Sequence, residues 1–202
     1  MSEIVNNVDL IPAAVNLFKE IKESVKKHLN QYTGSDVTET ELCPADYAKK
    51  LDKGIPDEQL LKDMIQCIEL TSDDVSVKLS IQDTSKHIQK ATMDGYDQAL
   101  NETWKRSIND PRLKVQIQQM NNHRMMLKKL IPGIQSTFIY MEISGITEHR
   151  VISSKVPNMD LTGYAIDMQI RPFGLAPYPG KDKDPLTLMM RDAVDEVMKK
   201  RD

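Results

Sequence analysis

Two cysteines are all that 202 residues offer, and Cys43 and Cys67 have neither a CxxC spacing nor a histidine pair beside them. That argues against a zinc site and predicts two free, buried thiols rather than a disulfide framework. Aromatic side chains are nearly as scarce: one Trp, six Tyr and three Phe. The core must therefore lean on Ile, Leu, Val and twelve Met, which pack adaptably but fix geometry loosely. Such an interior suits helices and partner-dependent surfaces better than a rigid, carved pocket.

Apolar runs are short. None approaches the ~18 residues of a membrane span, and MSEIVNNVDLIPAAV lacks the basic-then-apolar order of a secretory signal. The chain is expected in the cytoplasm, or in a virion if it is viral. Local catalytic motifs are missing too. There is no GxSxG, GxxxxGKS/T or GxGxxG, and His28, His87, His123 and His149 form no HxH or HExxH. Asp73-Asp74 and Asp182/Asp184 invite a metal reading, but carboxylates at a helix start follow from the macrodipole alone. No metal and no cofactor is expected.

Acidic residues are absent in one telling place. Between Pro111 and Met141 there is no Asp or Glu, while Arg112, Lys114, Arg124, Lys128 and Lys129 sit among Gln116, Gln118, Gln119, Asn121, Asn122 and His123. The whole chain is acidic, with 27 basic and 30 acidic residues. Charge separated in this way points to a basic face that meets a partner or an acidic part of the same chain.

Periodicity supplies the elements. Phe18, Ile21, Val25, Leu29 and Tyr32 line one face of a helix from about 11 to 32, with Asp9 as cap, Pro12 in the first turn and Gly34 as the stop. Short helices are predicted from Pro44 to Lys53, and from Pro56, the latter burying Leu61, Met64, Ile65 and Ile68. Thr71-Ser72-Asp73-Asp74 reads as the cap of a long helix reaching Asn109. Its stripe of Val77, Ile81, Thr84, Ile88, Ala91, Gly95 and Ala99 has small residues where another helix would approach. Val75, Val77, Leu79 and Ile81 also alternate as a strand would; the capping residues before them and the helix formers after favour helix. Asp110 and Pro111 restart a helix that Pro132-Gly133 ends. Residues 136–144 and 146–153 read as a hairpin about Gly145, with a third strand over 162–170. A proline-rich connection over 171–185 leads to a last helix burying Leu186, Met190, Ala193, Val194 and Val197.

The fold class is therefore α+β and predominantly α-helical: a helical bundle with a small antiparallel sheet at about 136–171 and a C-terminal helix. Two regions are expected, 1–133 and 134–202, unless they form one continuous domain. On the 111–131 helix Leu113, Ile117, Met120, Leu127 and Ile131 make an apolar stripe, and Arg124 falls inside it. A guanidinium there needs an internal acid, a phosphate or an acidic partner, or must snorkel outward to water. The proline-rich segment offers Arg171, Phe173, Leu175 and Tyr178 as anchors for docking, or it is a passive linker.

These residues point to a non-enzymatic interaction or assembly protein, an oligomeric scaffold or adaptor, with a protein partner or self-association. A virion or phage assembly component suits the build by analogy. The alternative is nucleic-acid binding through Lys114, Asn121, Arg124, Lys128 and Lys129, which lacks interleaved aromatics and is opposed by a pI near 5.8. A third reading is an enzyme that assembles distant residues such as His87, His123, Glu142 and Asp167.

Overall fold

A computed structural model describes residues 10–51, 61–143, 147–155, 159–161, 164–166 and 185–201, with backbone alone between 147 and 166. The class is α+β, with more of the chain in helices than in strands. The helices are α1 (Leu10–Thr33), α2 (Pro44–Lys50), α3 (Ser85–Ser107), α4 (Leu113–Leu130) and α5 (Pro185–Met198). The strands are β1 (Thr38–Glu41), β2 (Met64–Ser72), β3 (Val75–Asp83), β4 (Gln135–Ile143), β5 (Thr147–Lys155), β6 (Met159–Leu161) and β7 (Tyr164–Ile166).

The sheet begins a hundred residues earlier than expected. Strands β1 to β5 form one antiparallel meander in sequence order, and β6 pairs with β7 separately. The 133/134 division thus falls between paired strands, because β3 pairs with β4 from Val77–Ile143 to Asp83–Thr137. Two helical expectations are corrected. Residues 64–72 and 75–83 are strands, joined by the tight turn at Asp73-Asp74. Asp73 holds a φ of 50°, which aspartate tolerates better than most side chains. The residues that cap helices also make such turns, so the capping argument lost and the period-2 alternation won.

That alternation sorts the sheet into two faces. Ile68, Leu70, Val77, Leu79, Ile81, Ile139, Met141 and Ile143 point to one side, where α1 and α5 cover them. The α1 stripe of Phe18, Ile21, Val25 and Leu29 is fully buried there, and each such side chain contributes roughly 1.5–3 kcal/mol. Tyr32, expected in the stripe, is exposed because it lies near the C-terminal end of the helix. Gly34 ends α1 at a φ of 74°, with its N–H donating to Asn30 O at 2.8 Å. All five expected α5 residues are buried. Ser24 Oγ of α1 donates to Ala193 O of α5 at 2.6 Å, so the two helices are stitched as well as packed.

The other face is polar but not wet. Lys78, Ser80, Gln82 and Glu142 are buried on it, and α2 seats Tyr47 and Leu51 beside Cys67. Lys78 Nζ lies 3.5 Å from Glu142 Oε1, and Tyr140 Oη donates to Glu142 Oε2 at 3.0 Å. Cys43 and Cys67 are both free thiols, but Cys43 is exposed, because it caps α2 and donates to Asp46 Oδ2 at 3.0 Å.

Candidate functional site

Antiparallel neighbours in a meander are ordinarily joined by two to five residues. Here β3 and β4 are joined by α3 and α4, a helical hairpin inserted into a β-hairpin. At 1.5 Å per residue the 23 residues of α3 reach about 34 Å from the sheet. The base is fixed by local bonds. Thr84 N donates to Ser136 O at 2.9 Å, Ser136 N to Ser85 Oγ at 3.0 Å, and Gln89 Nε2 to Ile134 O at 2.9 Å.

Beyond the base, the arm packs mainly on itself. Only Ser85, Leu100 and Ser107 are buried on α3, and only Ile117 on α4. Among the described residues no helix seats on the Ala91, Gly95 and Ala99 stripe; all three are exposed, and a Cβ on Gly95 would meet nothing within 4 Å. Four large apolar side chains stand in solvent: Trp104 at 54% exposure, Ile108 at 82%, Val115 at 64% and Met125 at 66%.

The helices form where the sequence lets them. Ser85 N donates to Asp83 Oδ1 at 2.9 Å, capping the entry to α3. Asp110 Oδ1 accepts Arg112 N at 3.1 Å and Arg112 Nε at 2.9 Å, turning the chain into α4 two residues after the expected start. Tyr96 Oη of α3 donates to Met120 O of α4 at 3.0 Å.

Arg124 has found its acid within the chain. Its Nε donates to Asp97 Oδ1 and its Nη2 to Asp97 Oδ2 at 2.8 Å, a bidentate clamp across the two helices. The Arg124 hydrogen bond holds the Asp97 carboxyl below the usual range, and Lys128 acts in the same direction. Arg124 is thereby spent on the arm itself. Lys114, Asn121, Lys128 and Lys129 remain exposed.

At 100° per residue, Lys86, Lys90, Trp104 and Ile108 fall within about 40° on α3, around Asp97. On α4, Lys114, Gln118, Asn121, Met125 and Lys128 fall within about 80°. The Asp97–Arg124 clamp, with Lys128 acting on the same carboxylate, sets these two arcs on one side of the hairpin. Lys129 sits at its margin. From Ser85 to Leu130 there are nine Lys or Arg and four Asp or Glu, so the arm carries +5 and the rest of the chain −8. Three of those four acids are already engaged, by Arg124, Lys105 and Arg112. Sequence reasoning found the basic residues of α4 but not Lys86, Lys90, Trp104 and Ile108, which share one arc only once 85–107 is a separate helix folded back on α4.

The described members of the scattered catalytic set, His87, His123 and Glu142, do not converge. His87 lies at the base of α3, and His123 is opposite the middle of that helix, about 15 Å along it. Glu142 lies five strand positions beyond the arm's base in β3–β4 register, about 16 Å away, inside the polar layer. Asp167 and the docking anchors Arg171, Phe173, Leu175 and Tyr178 lie outside the described residues, as do Asp182 and Asp184. Among the described residues no group of three His, Cys, Asp or Glu is placed to hold a metal, and no helix is long and apolar enough to cross a membrane.

The polar layer contains a second unusual group. Tyr47 Oη is fully buried beside Ser80 but makes no hydrogen bond of good geometry among the described residues. Burial pushes its hydroxyl well above the usual range, and pushes the Cys67 thiol up to about 12. Neither is a ready nucleophile; a thiol held protonated by burial is chemically quiet. Compared with known proteins, the chain matches no family model, no curated protein and no solved structure.

Proposed function

We propose that this is a non-enzymatic interaction and assembly protein, an adaptor or scaffold whose two-helix arm docks on an acidic protein surface. One observation carries the reading: an inserted hairpin that buries two large apolar residues, Leu100 and Ile117, while exposing Trp104, Ile108, Val115 and Met125 within a net charge of +5. Apolar side chains held in solvent on a rigid projection serve recognition better than they serve the fold. Met125, exposed on the cationic arc of α4, lets such a face adapt to its partner. Residence in the cytoplasm, or in a particle if the protein is viral, belongs to the same proposal.

Nucleic acid is the second reading, and Trp104 is the observation that favours it. An exposed aromatic on the same helical arc as Lys86 and Lys90, toward the Lys114 end of the hairpin, supplies the stacking surface that 111–131 alone lacks. The acidic balance of the whole chain, with a pI near 5.8, counts against it.

Trp104 is the chain's single tryptophan, so its emission reports occupancy of the arm directly. The test titrates the full chain at low salt with poly-L-glutamate and, in parallel, with a 20-base-pair duplex. The expected result is a blue shift with poly-glutamate that Lys114→Gln, Lys128→Gln and Lys129→Gln together weaken at least tenfold. Tighter binding to the duplex, with a log–log salt slope that falls by up to about three units in the triple variant, would move the assignment to nucleic acid. No response to either would remove the arm as an anionic-partner surface.

A further inference from the structure

The strand order gives the arm's charge a counterpart. β3 runs from the Asp73-Asp74 turn at one end of the sheet to the arm's base at the other, and its nine residues span about 30 Å. Beside that turn the end of α1 brings in Asp36: Ser35 Oγ donates to Asp73 Oδ2 at 2.9 Å, and Thr33 Oγ1 lies 2.7 Å from Ser72 Oγ. Asp36, Asp73 and Asp74 are all exposed, and none forms an ion pair among the described residues. Among the described residues, β3 therefore has the cationic arm at one end and these three carboxylates at the other.

We propose that the occupant of the arm's cationic face is a second copy of this chain, engaged through its acidic end in a head-to-tail contact. The inference rests on the docking reading above and names its partner. Charge complementarity decides between the two ways copies can meet. A symmetric arm-to-arm contact would press Lys86, Lys90, Lys114 and Lys128 against their own kind, whereas an arm on the acidic end joins opposite signs. Because the two surfaces differ, each copy keeps one free end, and the contact propagates into a ring or an open filament.

The test is a mixing experiment by sedimentation velocity at low salt. An arm variant carries Lys90→Glu and Lys114→Glu; an end variant carries Asp36→Lys, Asp73→Asn and Asp74→Lys, asparagine being tolerated at the positive φ of residue 73. Wild type should grow with concentration beyond twice the 23.0 kDa chain. Each variant alone should stay monomeric, since each lacks one half of the contact. Their equimolar mixture should form dimers and nothing larger. An end variant that still associates like wild type, or a mixture that stays monomeric while wild type assembles, would overturn the proposal. So would a wild type that is monomeric throughout. A variant-free readout guards against misfolding: Trp104 emission of wild type should shift to the red on dilution, and invariance would count against self-association. Binding of poly-glutamate by a chain that never self-associates would retain the docking arm and reject only this partner.

Discussion

Excising the arm separates its role in folding from the role in recognition proposed for it. The change replaces everything between Thr84 and Ser136 with Asn-Gly. Thr84 N already donates to Ser136 O at 2.9 Å, so these two residues form the closing pair of a two-residue hairpin. Two terms oppose one another. The excision loses the hydrogen bonds from Ser136 N to Ser85 Oγ and from Ser85 Oγ to Ser136 O, together roughly 1–3 kcal/mol. It also replaces a roughly fifty-residue closure with a two-residue one, which recovers up to about 3 kcal/mol from the (3/2)RT ln n dependence. The core residues under α1 and α5 lose no neighbour, since the hydrophobic core there contains no arm residue. Stability should therefore remain within about 2 kcal/mol of wild type, a shift of some 4–8 °C in either direction at 2–4 °C per kcal/mol. Urea unfolding followed by far-UV circular dichroism measures it. A body that no longer unfolds cooperatively, or that loses more than about 4 kcal/mol, would show that the arm is part of the fold and refute its treatment as an insertion.

Two further substitutions probe the arm and the polar layer. Gly95→Ala places a Cβ in open space inside an exposed helix, so thermal unfolding should show a gain of about 0.5–1 kcal/mol; a loss would mean that something seats against Gly95. Tyr47→Phe removes a buried hydroxyl without a good acceptor and should be neutral or stabilising by up to about 2 kcal/mol in denaturant titration, whereas a loss above 1 kcal/mol would show that Ser80 does satisfy it. Both Tyr47 and Cys67 ionise later in the folded chain than in the unfolded one. The folded state thus holds protons that the unfolded state releases, and stability should fall as pH rises from about 9 toward 12, by up to ~1.4 kcal/mol per unit for Cys67. Cys67→Ala should flatten that limb.

The helices of the α1–α5 layer were legible because one dominant force, apolar burial on a 3.6-residue period, wrote both Phe18–Leu29 and Leu186–Val197. The hairpin at 135–155 was legible from β-branched alternation. Residues 64–83 were not, because Asp73-Asp74 offers the same short polar side chains to a turn as to a helix cap, and the helix formers after Ser85 lent their weight to the wrong segment. Lys78, Ser80 and Gln82 held the missing signal, polar residues at every second position between Val77, Leu79 and Ile81. Arg124 was visible as an anomaly, but its partner lay 27 residues away. Asp97 and Arg124 are equidistant from Asp110-Pro111, so treating that turn as a hairpin axis would have paired them.

That pairing changes what the arm can offer a partner. A bidentate guanidinium–carboxylate clamp is directional, and sliding α4 by one turn would carry Arg124 about 5.4 Å from Asp97. With only Leu100 and Ile117 buried along the arm, apolar packing alone discriminates poorly between registers, and the clamp supplies the missing specificity, as polar pairs do in coiled coils. The one cation inside the apolar stripe is thus consumed in aligning the two helices. On the docking reading proposed above, recognition would fall to the cations that the clamp leaves facing outward, Lys86, Lys90, Lys114 and Lys128, and to Trp104 and Ile108 toward the tip of the arm. Register and the proposed recognition would be coupled for the same reason: only when Arg124 sits on Asp97 do the cationic arc of α4 and the aromatic arc of α3 share one side. A slipped hairpin would keep every charge and lose the surface.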